Sequence, residues 1–210
     1  MELNSNDIYN IVRNLGEKVR KNEKLLSSLD EKIGDGDFGI NINRAFDSIM
    51  NNINENMDIN QIFNIAGKEL MTKHGGTSGT LLGMAFSVYS KDTIERFDEN
   101  EFLNFAGTLN NTIKRLGHAS LGDKTMIDSL EPAYESANES MKKHDNFIKM
   151  ARNVRNAAEH GMKSSINIAA KKGRSSYIGD RSIGHQDPGC TFIFYMYDAF
   201  YKHIENKNKV

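Results

Sequence analysis

Asp30, Asp35 and Asp37 fall within eight residues, and Gly34, Gly36 and Gly39 bend the chain around them. Carboxylates this crowded repel one another unless a cation joins them. Oxygen ligands of this kind suit a hard cation such as Mg²⁺, which keeps positions open for waters and substrate phosphates. The segment therefore reads as a Mg²⁺ site that serves a phosphorylated ligand. The competing reading is a solvated acidic turn capping a helix that starts near Gly39.

Two familiar motifs overlap this loop and neither fits. Gly34-Asp35-Gly36-Asp37-Phe38-Gly39 has the spacing G-x-G-x-x-G. A dinucleotide fingerprint follows a strand and presents bare amides to a pyrophosphate. Here Lys24 to Leu29 reads as helical, and two aspartates would repel that anion. A Ca²⁺ loop needs a glutamate at its twelfth position; counted from Asp35, that position is Phe46.

Three further segments carry chemistry. His74-Gly75-Gly76-Thr77-Ser78-Gly79 precedes an apolar helix, and small residues at a helix N-terminus can cradle phosphate. Taken alone it reads more readily as a flexible connection, and it lacks the lysine of a P-loop. Gly122-Asp123-Lys124-Thr125-Met126 opens another helix; Asp123 or Thr125 could cap it, or the turn could face a nucleotide. Residues 171–190 form the longest non-periodic stretch, rich in Gly, Ser and Arg, and read as a binding loop. Arg174 is its best phosphate partner, because a guanidinium matches phosphate oxygens in a fork. His185 could be a base, but such a histidine more often hydrogen-bonds within its own loop. The remaining histidines show no metal-ligand spacing.

Helices must position these loops. Ile8, Ile11, Val12, Leu15 and Val19 follow a helical spacing, as do Ile42 to Ile53, Ile59 to Leu70 and Phe102 to Leu116. Further helical segments cover roughly 79–90, 125–140, 146–171 and 189–205, the last apolar nearly all round. No alternating strand is evident. Pro132 is expected to kink its helix or lie near its start, Pro188 to sit in a loop, and the polar tail from Glu205 to fray. The pattern predicts an all-α fold, an up-and-down antiparallel barrel or bundle of about eight helices in one domain spanning 1–210. Of 17 glycines, 13 fall at 34/36/39, 75/76/79/83, 117/122, 173/179 and 184/189, between or at the ends of these helices. Alternate connections of such a bundle meet at one end, where glycines let backbone amides approach a ligand.

Composition narrows the function classes. Lys and Arg number 27 against 28 Asp and Glu, which argues against nucleic-acid binding by bulk charge. The single cysteine, Cys190, excludes an intrachain disulfide framework and fits a reducing compartment. Neither a secretory leader nor a membrane span is visible, so a cytoplasmic location is expected.

Together the motifs resemble one family. Leu29-Asp30 with Ile33-Gly-Asp-Gly-Asp, Gly75-Gly-Thr-Ser-Gly, Gly122-Asp-Lys-Thr-Met, and Lys172-Gly-Arg-Ser-Ser-Tyr followed by Gly179-Asp-Arg-Ser-Ile-Gly-His-Gln-Asp-Pro-Gly189 resemble, in order and spacing, the L subunit of bacterial dihydroxyacetone kinase. The resemblance implies a barrel of eight antiparallel helices whose loops at one end hold ADP through two Mg²⁺ ions. It places the metals on Asp30, Asp35 and Asp37. It places nucleotide contacts at Phe38, Gly39, Ile40, Asn41, Thr77, Ser78, Gly117, Met126, Arg174, Asp187, Pro188 and Gly189, with Arg174 serving catalysis. It implies ADP/ATP as a resident coenzyme, a phosphohistidine carrier of the phosphotransferase system that rephosphorylates it, and a K subunit that holds dihydroxyacetone. Phe38 departs from the pattern, since the family carries histidine there. A same-fold kinase for another small acceptor, or a Mg·ADP-binding regulatory protein, remain alternatives.

Overall fold

The computed structural model describes residues 1–209; the final position of the expected fraying tail, Val210, lies outside them. Among the described residues nine α-helices form: α1 (Ser5–Lys21), α2 (Glu23–Ile33), α3 (Phe38–Asn52), α4 (Ile59–Glu69), α5 (Gly76–Tyr89), α6 (Glu99–Gly117), α7 (Ile127–Lys142), α8 (Phe147–Ser164) and α9 (Pro188–Lys207). The only β-type pairing among the described residues is an isolated bridge between Leu3 and Phe97. No described helix is long and apolar enough to cross a membrane.

Eight of these helices close a ring. From α3 to α9 each packs on the next, and α1 joins α9 to α3. The ninth, α2, rests on α3 and on a 3₁₀ segment, Arg174–Ser182. The expected count of about eight thus describes the ring, with α2 added. Asp198 of α9 ties the seam, accepting from Lys18 of α1 at 2.5 Å and from Arg155 of α8 at 3.1 Å. Inside the ring lie the apolar positions that the helical spacing marked, including Ile8, Ile42, Ile62, Phe105 and Phe192. Phe63, Phe86, Tyr89, Phe97, Phe105 and Phe200 form a continuous aromatic cluster beside the α5–α6 connection. The connections α2–α3, α4–α5, α6–α7 and α8–α9 are the alternate set, and they carry the glycine clusters.

Three local expectations change. Helix α8 stops at Ser164 rather than near 171, and part of the non-periodic stretch is the 3₁₀ segment, broken at Gly179 with φ 52°. Its three-residue repeat buries too little to leave an apolar pattern. Pro188 is the first residue of α9 rather than part of a loop, a position where the missing N–H has no helical acceptor to lose. The tail does not fray from Glu205: α9 continues to Lys207, whose ammonium pairs with Asp7 of α1.

Pro132 lies inside α7. It has no N–H to donate to the carbonyl of Asp128, four residues back. Gly161 of α8 approaches that carbonyl, and a Cβ on Gly161 would stand 1.9 Å from its oxygen. Ser129, on the next residue, donates to the Ala158 carbonyl at 3.1 Å and to Cys190 at 3.3 Å, so α7, α8 and α9 lock together here. Gly161→Ala should therefore destabilise the protein by about 2 kcal/mol, within the usual range for overpacking. Urea unfolding would show it as a lower midpoint at unchanged slope, and an unshifted midpoint would refute the close packing.

Candidate functional site

Helix α2 ends at Ile33, and Gly34 to Asp37 turn the chain into α3. Gly36 has φ 77°, a left-handed conformation that glycine adopts without steric cost. Asp30, in the last turn of α2, reaches across the turn and accepts from the Phe38 amide at 3.1 Å. One carboxylate oxygen from each of Asp30, Asp35 and Asp37 lies within 4.8 Å of the others. Burial pushes the Asp30 carboxyl up, and Asp37 pushes it further, while the Phe38 amide holds it down. Arg174 pairs with Asp35 and is the one basic side chain ion-paired to this cluster among the described residues. Three close carboxylates, one of them poorly hydrated, form a donor set that fits a hard divalent cation.

The cluster borders a cavity of about 260 Å³. Asp30, Asp37, Phe38 and Asn41 line it from the α2–α3 side, and Thr77 and Ser78 from the first turn of α5. Gly117 contributes from the end of α6 and Met126 from the α6–α7 connection, Arg174 and Asp187 from the α8–α9 connection, and Pro188 and Gly189 from the first turn of α9. The structure thus brings most of the expected contacts into one place. Asp35 joins the carboxylate cluster without lining the cavity. Gly39 and Ile40 lie outside the lining. A Cβ on Gly39 would stand 2.1 Å from the Glu23 carbonyl, so this glycine serves the packing of α3 on α2. Ile40 points to solvent. Only their amides, in a first helical turn that offers no acceptor, remain to face a ligand.

Several lining residues escaped the reading of the sequence. A π-helical turn, Leu70–His74, precedes Gly75 and Gly76, both at positive φ. It places His74 in the cavity wall, edge-on to the Phe38 ring at 5.1 Å. The His74 Nδ1 lies 3.1 Å from the Gly75 carbonyl, which can only accept, so Nδ1 carries the proton. Burial lowers the His74 pKa, and Nε2 is buried without a partner. Leu81, Ile113 and Ala119 add an apolar wall. They look like ordinary core positions in sequence, and no signal sets them apart.

Neither Asp123 nor Thr125 caps α7 in the usual way. The helix starts at Ile127, and Asp128 organises the turn before it, accepting from Gly122 at 2.6 Å and Thr125 at 2.7 Å. Thr125 retains a 3.2 Å bond from the Ile127 amide. The His185 ring is absent from the cavity lining, which leaves it no place as a base there. Asp187 caps α9, accepting from Cys190 at 2.7 Å. A Cβ on Gly189 would meet Met126 at 2.6 Å, so this glycine lets the α6–α7 connection close onto α9.

The family profile described as the DAK2 domain matches residues 32–202. The chain belongs to the DAK2 domain family. This DAK2 domain is 36% identical to the ADP-binding subunit of the phosphotransferase-system-dependent dihydroxyacetone kinase of Lactococcus lactis, over 87% of the chain and 89% of the relative. It is 34% identical to the corresponding subunit of Escherichia coli, over 93% and 95%. The expected resemblance therefore holds across nearly the whole chain. A crystal structure of the dihydroxyacetone kinase of C. freundii in complex with AMP-PNP and Mg²⁺ superposes with TM-score 0.70 at 24% identity. That likeness supports the all-α fold; it covers 93% of this chain and 33% of the longer kinase chain.

Asp187 gives the site a pH signature. Burial raises its carboxyl from the ordinary 3.8 to about 6. A raised carboxyl stabilises the fold fully below its unfolded value, and that contribution fades as pH rises through the folded value. Asn at this position still offers a cap oxygen and does not titrate. Between about pH 4 and pH 7, Asp187→Asn should gain on the wild type by up to about 3 kcal/mol. Urea unfolding of both proteins across that range measures the difference, and parallel stability curves would remove the buried-carboxyl account.

Proposed function

We propose that this DAK2 domain is the Mg·ADP-binding subunit of a cytoplasmic dihydroxyacetone kinase. Bound ADP acts as a coenzyme, a phosphohistidine carrier of the phosphotransferase system rephosphorylates it, and the phosphoryl group passes to dihydroxyacetone held by a partner K subunit. The observation that carries the reading is the placement of three carboxylates, within 4.8 Å of one another, at the edge of a glycine-rimmed cavity that also holds Arg174. The likeness over nearly the full length of ADP-binding subunits supports the same assignment.

In this reading Asp30, Asp35 and Asp37 hold two Mg²⁺ ions. When bound, the ions neutralise phosphate charge and orient the transferring group. The chain itself supplies position. Phosphoryl transfer depends on alignment and charge neutralisation more than on a protein nucleophile. Thr77 and Ser78 present hydroxyls and first-turn amides of α5, and Gly39, Ile40 and Asn41 present the N-terminal region of α3, to the phosphates. Phe38, Gly117, Met126 and Pro188 close around the nucleoside together with the Leu81–Ile113 wall, and Asp187 and Gly189 fix the start of α9 beside it. Arg174 meets negative charge as it shifts between donor and acceptor oxygens. Tyr177 and Ile183 in the α8–α9 connection and Leu121 in the α6–α7 connection are exposed apolar side chains on the connections that contribute to the cavity.

Mg·ADP should raise the melting temperature of the wild type, because a ligand bound only by the native state stabilises it by about 2.7 kcal/mol at a hundredfold excess over Kd. Asp35→Asn should abolish that gain while leaving the helices intact by circular dichroism. An unchanged ADP affinity in the variant would sink the metal assignment. Transfer to dihydroxyacetone should appear with the K and carrier subunits present and be absent with free ATP alone.

Arg174→Lys keeps the charge and loses the guanidinium fork. Interactions that strengthen in the transition state affect rate more than ground-state binding. The variant should slow single-turnover transfer from the ATP form more than it weakens ADP binding. Equal losses in both would reduce Arg174 to a ground-state anchor, and no change in either would remove its role.

A further inference from the structure

Lys124 has no part in the reading above, although it lines the cavity. It is 1% exposed, and its φ is 59°. A residue other than glycine holds that conformation only where its surroundings impose it. The surroundings here act through the side chain. The ammonium lies 2.8 Å from the Ser165 carbonyl, 3.2 Å from Ile168, 2.6 Å from Ser182 and 2.6 Å from His185. All four acceptors are backbone carbonyls, and Lys124 makes no ion pair among the described residues. Three N–H donors are shared among four carbonyls, an arrangement closer to a coordinated cation than to an ordinary surface lysine.

The carbonyls come from two stretches, the residues just after α8 (Ser165, Ile168) and the end of the 3₁₀ segment with its link to α9 (Ser182, His185). Arg174 precedes the second stretch and Asp187-Pro188-Gly189 follows it. Three bonds reinforce the same junction: Gly184 to the Ile166 carbonyl at 2.7 Å, Ala170 to the Ser182 hydroxyl at 2.8 Å, and the Asp187 amide to the Ser165 hydroxyl at 3.0 Å. All four carbonyls lie outside the α-helices of the ring, so the bonds of Lys124 join loops of one end.

We propose that Lys124 is a positioning residue: its buried ammonium cross-links the α6–α7 and α8–α9 connections, and so sets where Arg174 and the first turn of α9 meet a bound nucleoside diphosphate. The inference rests on the cavity being the nucleotide site. Burial of a charge is tolerated when every donor has an acceptor. Removing the charge would take the ammonium from four carbonyls, of which Ser182 keeps the His185 amide at 3.3 Å, and would leave two stretches without their common anchor.

Lys124→Met keeps the stem and deletes the ammonium. It should retain its helical circular dichroism, bind Mg·ADP about thirtyfold more weakly or worse, and lose single-turnover transfer by a larger factor than occupancy explains. The Arg174→Lys change should cost less in this background than in the wild type, since its geometry is already lost. Lys124→Ala with added n-propylammonium, which replaces the deleted atoms, should recover part of both functions. Lys124→Arg carries the test if the methionine variant does not fold: its broader head keeps the charge but displaces the loops, so transfer should fall more than ADP affinity. Wild-type binding and transfer in the methionine or arginine variant, or strictly additive losses with no amine rescue, would overturn the role of Lys124. Failure of the wild type itself to bind Mg·ADP would instead overturn the nucleotide reading.

Discussion

Electrostatic crowding at the α2–α3 turn is the constraint around which one end of this molecule is organised. Three carboxylates within 4.8 Å are stable together only beside positive charge. The protein supplies part of it locally. The N-terminus of α3 faces the turn, and its first amide bonds Asp30. The opposite effect comes from α2, whose C-terminal carbonyls lie on the Asp30 side. The raised Asp30 carboxyl records the imbalance: burial and Asp37 together outweigh the Phe38 amide. Glycines follow from this geometry. Gly36 must adopt a left-handed φ to bring Asp35 and Asp37 back toward α2, and Gly39 must lack a side chain for α3 to start against Glu23.

The far end of the ring obeys a different rule. Phe63, Phe97, Phe105 and Phe200 contact one another through ring edges and faces, and the Leu3–Phe97 bridge closes the chain over them. Stability is concentrated there and along the helix seams, where apolar burial needs no exact charge balance. The loop end also carries a buried polar atom without a partner, the Nε2 of His74, and a lysine at positive φ, Lys124. Such features are tolerated where the surrounding structure determines them strongly.

What was legible in the sequence follows the same division. Helical spacing marked the ring, because each helix buries one stripe and the stripe repeats every three to four residues. The acidic turn was legible because repulsion among neighbouring carboxylates is a local fact. Contacts made across the fold were not. Lys124 looks like a loop lysine until the carbonyls of Ser165, Ser182 and His185, 41 to 61 residues away, are in place. His74 reads as the residue before two glycines until the π-helical turn sets it against Phe38. Gly39 sits in a motif of ligand-facing glycines, yet its space is filled by α2. The type of residue was readable in each case, and the neighbour that gives it a task was not.

The Arg174–Asp35 pair joins the two halves of the site. One partner belongs to the carboxylate cluster and the other to the 3₁₀ segment that follows α8. Their side chains are 66% and 39% exposed, so the pair is hydrated and screened. Exposed pairs of this kind contribute about 0–1 kcal/mol, too little to hold the loop shut against a ligand. The same two groups are claimed by opposite charges in the proposed complex, Asp35 by a cation and Arg174 by a phosphate. Withdrawing either partner releases the other at small cost. Occupation of the two halves is therefore coupled in the favourable direction, and coupling of this kind is reciprocal. The weakness of the pair makes it useful: it keeps two opposite charges neutralised in the free protein without opposing their separation when metal and nucleotide arrive together.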